Sequence, residues 1–239
     1  MTQSVQSNNP VPVVDPALDP KVALLRTWQA ARLTRTYADL LTSKRYRPAC
    51  LFFLSDIYAP RDFSNRDREM ERIYAALEHR APKHATDLFR DLMELNRVSY
   101  ALDEELIAVL FGQLGVTESI SEAQYADAYR LCNNYPARAH QIDVIVDVIT
   151  RVGDLAKLPM IGMALKMLHP VAHQMGWGEL HDFAERGHDA FRQMGNVAPF
   201  VEVVRTRETQ ILKQIYAACA DPFNVSDTPC PDALRLGEA

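Results

Sequence analysis

The chain has 239 residues, 26 lysines and arginines against 31 aspartates and glutamates, a net charge of -5 and a hydrophobic fraction of 48%. That length fits one large or two small domains with an ordinary core. The mixed, slightly acidic charge argues against a surface built to grip phosphate, so nucleic acid is not an expected partner. No apolar run approaches the roughly 18 residues that cross a bilayer. The start, MTQSVQSNNPVPVVDPALDP, lacks the basic and apolar regions of a secretory signal. A cytoplasmic protein without a membrane partner is expected. Cys50, Cys132, Cys219 and Cys230 are far apart with no CxxC pair, which excludes a zinc ribbon or a thioredoxin-like motif and predicts four reduced thiols.

Residues 1–18 hold three of the 14 prolines and no apolar period, and predict a flexible leader. The stretch 221–239 repeats that composition and predicts a flexible tail. Between them, residues 19–220 predict a single all-α bundle of about eight helices. The first is expected from Pro20 to Ser43, with Val22, Leu25, Gln29, Leu33, Tyr37 and Leu40 on one face. A second, from Pro48 to Tyr58, is apolar nearly all round and belongs at the centre of the core. Ser64 with Asp67 resembles a capping pair that opens a third helix to Glu78.

The strongest periodicity runs from His84 to Phe111, where Leu88, Leu92, Leu95, Ser99, Leu102, Leu106 and Val109 recur in steps of four and three. Such a heptad seam serves either a bundle interior or a dimer. Phe89, Met93, Val98 and Ile107 widen it, which favours the bundle. Ser121 with Gln124 opens a helix to Cys132, and Pro136 opens one to Ala156. VIVDVIT has β composition, but Asp143, Asp147 and Arg151 recur every fourth residue and make it helical. Met160–Leu168, Glu179–Met194 and Phe200–Cys219 complete the set. Residues 21–47 carry seven basic residues against one acid, and 87–105 carry six acids against two arginines. These segments would either pair inside the bundle or bind outside partners.

Two stretches, RYRPACLFFLSDIYAPRDFSNRD at 45–67 and ELHDFAERGHDAFRQM at 179–194, resemble an uncharacterised bacterial family of helical proteins. Its members share a phrase like FFL-x-D-x-Y-x-P-x-D-F-x-x-R-D and a later phrase ending A-F-R-x-M. The resemblance implies a cytosolic helical protein and carries no catalytic residue and no cofactor.

Asp56 interrupts a helix that otherwise reads as buried, so its carboxylate needs a partner. Arg45, Arg47, Arg61 and Arg66 are near in sequence, and a structural ion pair fixing the Pro60–Ser64 loop is the expected outcome. The functional alternative is a ligand pocket on Asp56, Tyr58, Asp62, Arg47 and Arg66. His169 and His173 are four apart, but Pro170 disfavours helical geometry at His169 and makes it a turn or cap residue. His181, Glu185, His188 and Arg192 form a row whose expected role is a half-exposed polar edge. A metal reading would draw on His173, His181, Glu185 and His188. No GxSxG or phosphate-binding glycine loop is present. The favoured function is protein contact or self-association, possibly through the 84–111 helix, without catalysis or cofactor. A pocket near Asp56 and a metal-dependent enzyme are the alternatives.

Overall fold

Asp19 caps the first described helix. Its carboxylate accepts from the backbone N–H groups of Lys21 and Val22, and Pro20 occupies the first helical position, where a missing N–H costs nothing. The computed structural model describes residues 14–79, 83–225, 230 and 233; most of the expected leader lies outside them. Among the described residues there are ten helices and no strand: α1 Pro20–Thr36, α2 Ala38–Thr42, α3 Arg47–Asp56, α4 Ser64–Leu77, α5 Lys83–Gly112, α6 Glu122–Cys132, α7 Tyr135–Ala156, α8 Pro159–Gln174, α9 Gly178–Met194 and α10 Ala198–Tyr216. The fold is all-α. No described helix is long and apolar enough to cross a membrane.

The expected first helix is divided because Tyr37 leaves helical geometry, at φ -114° and ψ 24°, and sends its hydroxyl to Glu208 at 2.8 Å. Ser64 is the first residue of α4 and Phe63 its N-cap; Asp62, just before, accepts from the Ser64 backbone at 2.9 Å through Oδ1 and from the Ser64 hydroxyl at 3.1 Å through Oδ2. Asp67 instead accepts from Arg66, Asn96 and Tyr100. At α6 the Ser121–Gln124 capping box forms as its spacing predicts.

Three apolar clusters carry the core, the smallest joining Ala126 of α6 to Ile211 and Ile215 of α10. One joins Leu40 of α2, Ala49, Cys50 and Phe52 of α3, Ile149 of α7, Phe191 and Met194 of α9, and Phe200 and Val204 of α10. Another joins Leu25 of α1, Leu106, Val109 and Leu110 of α5, and Tyr125 and Ala128 of α6. The heptad residues Leu102, Leu106 and Val109 are thus spent inside the molecule. The exposed large apolar residues gather on α8: Met160, Met163, Met167, Leu168 and Val171, with Met175 at its end. This helix buries only Gly162 and Ala172.

Among the described residues no ion pair joins the basic segment to the acidic one. Arg32 pairs with Glu208, Arg35 with Glu122 and Arg207 with Asp39, while Asp87, Asp91 and Glu94 pair with Arg90, Arg151 and Arg97. Between the two segments runs the neutral-to-acid bond from Gln29 to Asp103, 3.1 Å. The cysteine expectation is corrected: Cys219 and Cys230 form a disulfide, and Cys50 and Cys132 are free. Spacing gave no hint, because the pairing depends on the chain turning back after α10. There Gln214 donates to the Pro222 and Asn224 carbonyls, and Phe223 packs edge-on against Trp28.

Candidate functional site: an interior cavity and a histidine cluster

Residues from nine of the ten described helices, all but α8, and from the loops between them line a partly open cavity of about 250 Å³. Most of its wall is apolar, with Phe53, Leu92, Ile145, Val204 and Ile211 among the lining residues. Into this wall are set Gln29, Arg32, Tyr37, Tyr58, Asp103, Tyr125, Tyr129, Arg138 and Glu208. Arg32 donates to Glu208 at 2.6 Å, and Tyr37 donates to the same oxygen. Arg138 donates to the Leu102 carbonyl at 2.9 Å and lies 4.4 Å over the Tyr129 ring. Tyr125 donates to Tyr129 at 3.2 Å and stacks on Trp28 at 3.7 Å.

Both guanidiniums keep a buried Nε–H without a hydrogen-bond partner among the described residues. Burying a donor unpaired costs about 1–3 kcal/mol, so two in one wall are unusual in a finished core. Burial pushes the Asp103 carboxyl above its ordinary range, against the opposing pull of Arg138, the Gln29 hydrogen bond and Arg26. Burial likewise raises the Tyr58 hydroxyl, helped by Glu208 and opposed by Arg32.

Of the pocket residues expected from sequence, Tyr58 and Arg66 line this cavity. Asp56 is buried on the other side of α3, where Arg186 of α9 pairs with its Oδ1 at 2.7–2.8 Å and Ser55 donates to its Oδ2. Arg66 donates to the Asp56 backbone carbonyl, not to its carboxylate. Asp62 holds the Ser64 backbone at the start of α4, and Arg47 is exposed. The ion pair that settles Asp56 is therefore long-range, made by Arg186 and by none of the arginines near it in sequence.

On the opposite side of α9, α8 and α9 bring His169, His173, His181 and Asp182 together, with one ligand-capable atom from each within 4.8 Å of the others. His173 Nε2 lies 2.9 Å from Asp182 Oδ1, His181 Nδ1 at 3.8 Å and His169 Nδ1 at 3.9 Å. Burial alone would raise the Asp182 carboxyl; the His173 hydrogen bond and charge, with His169 and Arg186, outweigh it and hold it below the usual range. α8 continues through Pro170, so His169 is helical and shares a face with His173. The proline forfeits one backbone bond without ending the helix.

Glu185 stands at the rim, 3.5 Å from His169. His188 is elsewhere, its ring packed where a Cβ on Gly162 would fall. His181 and His188 are both buried because α8 covers that edge of α9, where a half-exposed edge was expected. Asp182 escaped the sequence reading, since its partners come from another helix.

A family model described as a domain of unknown function, DUF8198, matches residues 12–222. The chain belongs to the DUF8198 family. No curated protein and no solved structure matches it.

Proposed function

We propose that the chain is a binding protein for one small organic monoanion with an apolar body, held in the central cavity. The observation that carries this is the composition of the wall. Four arginines, Arg26, Arg32, Arg66 and Arg138, face two acids, Asp103 and Glu208. Asp67, outside the wall, neutralises Arg66. Three cations against two anions leave one positive charge, which a carboxylate-like group would complete, and the apolar lining would take the rest of the ligand. Nothing in the wall is an activated nucleophile: burial pushes the Cys50 thiol up to about 11. Binding without chemistry is the simpler function.

Native mass spectrometry of the chain isolated without denaturant tests this. One small acid per chain is the expected mass increment, and its loss in Arg138→Met locates it. A retained ligand unaffected by Arg138→Met would place it elsewhere and defeat the proposal.

A second function, self-association, is favoured by the exposed methionine-rich face of α8 in place of α5, whose seam is used internally. A second copy of the chain is the partner, because two such faces are self-complementary about a two-fold axis. Sedimentation should show a dimer that Met163→Glu with Met167→Glu dissociates; a monomeric wild type at high concentration would exclude it. The cytoplasm is the proposed location. The Cys219–Cys230 bond is unusual there, and cell fractionation tests the location: recovery of the chain outside the cytoplasmic fraction would exclude it.

A further inference from the structure

We infer that His169, His173, His181 and Asp182 hold one divalent transition-metal ion, zinc being the best fit, and that this ion fastens α8 to α9. Two observations carry the site independently. The first is convergence: three imidazoles and a carboxylate from two helices place their ligand-capable atoms within 4.8 Å of one another. Four nitrogen and oxygen donors at about 2.0–2.2 Å from a common centre are the tetrahedral set that zinc takes. Reaching that geometry asks for movement mainly of His169 and His173, the two half-exposed ligands on the outer helix.

The second is the state of His181. Its ring is buried, its Nε2 lies 2.8 Å from the Leu165 carbonyl, and its Nδ1 has no hydrogen-bond partner. A carbonyl only accepts, so Nε2 carries the hydrogen, and in the neutral ring Nδ1 presents a bare lone pair. That lone pair is aimed into the cluster. A metal-bound histidine is held in this way, with its far nitrogen donating to a backbone carbonyl that fixes the tautomer and the ring. Without a cation, the same arrangement buries an unsatisfied acceptor.

The cluster also sits on a helix that buries little of its apolar surface. α8 has 16 residues but buries only Gly162 and Ala172, and its large apolar side chains face outward. Three of its contacts to α9 are polar or edge contacts of histidines: His173 to Asp182, His181 to Leu165, and His188 against Gly162. Gly178, at the start of α9, leaves room for the His173 ring; a Cβ there would come within 2.7 Å of Nδ1. A shared ion would tie both helices at one point and supply what apolar burial does not.

The test uses untagged full-length chain, stripped with a chelator and dialysed. Zinc chloride titrated calorimetrically should bind one equivalent per chain. His173→Ala and Asp182→Asn, both at exposed or half-exposed positions, should each weaken binding at least about tenfold, while His188→Gln leaves it unchanged. Cobalt(II) in the same site should give the intense visible bands of four-coordination. Zinc should slow amide exchange across 159–174. Substoichiometric binding, or equal affinity in His173→Ala, overturns the site. Zinc bound without slowing exchange in α8 overturns the fastening role.

Discussion

Arg32 of α1 and Glu208 of α10 meet at 2.6 Å inside the bundle, with 176 positions separating them in the chain. The side chains are only 11% and 17% exposed, so water does little to screen the pair. Glu208 also takes the Tyr37 hydroxyl. Glu208→Ala would strand a buried guanidinium and should cost about 3–5 kcal/mol, read by urea denaturation. Arg32→Met combined with Glu208→Leu should recover most of that loss. A double variant whose loss is the sum of the two single losses would mean the pair is not coupled.

Asp103 makes stability depend on pH in an identifiable direction. Its folded pKa is raised, chiefly by burial, so the folded chain binds this proton more tightly than the unfolded chain, whose aspartates titrate near ~3.9. This group's contribution is therefore best at acid pH and is lost as pH rises through the folded value. Asp103→Asn should raise the melting temperature at pH 7, and its advantage should shrink as pH falls toward 4. A constant difference across that range would contradict the assignment.

Glycine substitutions should separate by neighbourhood. A Cβ at Gly153 of α7 would fall 2.4 Å from Val197 Cγ1, so Gly153→Ala should cost about 1–3 kcal/mol despite better helix propensity. At Gly112, the end of α5, a Cβ meets nothing within 4 Å, and Gly112→Ala should stabilise by about 0.4–1 kcal/mol. Thermal melts of the two variants check both signs.

Reducing Cys219–Cys230, 11 residues apart, should cost about 2–3 kcal/mol through regained freedom of the unfolded chain. Phe223 would also loosen from Trp28, so tryptophan emission should shift on adding reductant in native buffer. Unchanged emission would mean the 221–225 segment stays docked without the bond.

Much of the fold is legible in the sequence because helix starts are local events. Pro20, the Ser121–Gln124 box and the 84–111 periodicity each act within a turn or along one helix. The cavity left a weaker trace: Gln29 in the stripe of α1 and Ser99 in the seam of α5 are polar residues at core positions, and both line it. Arg138, Glu208 and Asp103 gave no such sign, since each looks like an ordinary helix-surface charge until another helix covers it. Asp56 shows the same limit, its partner Arg186 being 130 positions away. Local rules also misjudged His169, where packing of α8 on α9 outweighs the preference of a residue preceding proline.

The central claim is that a monoanion occupies the cavity and is held by Arg138. Calorimetric titration of octanoate and benzoate into wild type and Arg138→Met, matched for folding by circular dichroism, tests it most directly. The account predicts saturable uptake of one equivalent of at least one of these acids, weakened tenfold or more in the variant. No saturable uptake of either acid, or equal uptake by both proteins, would contradict it.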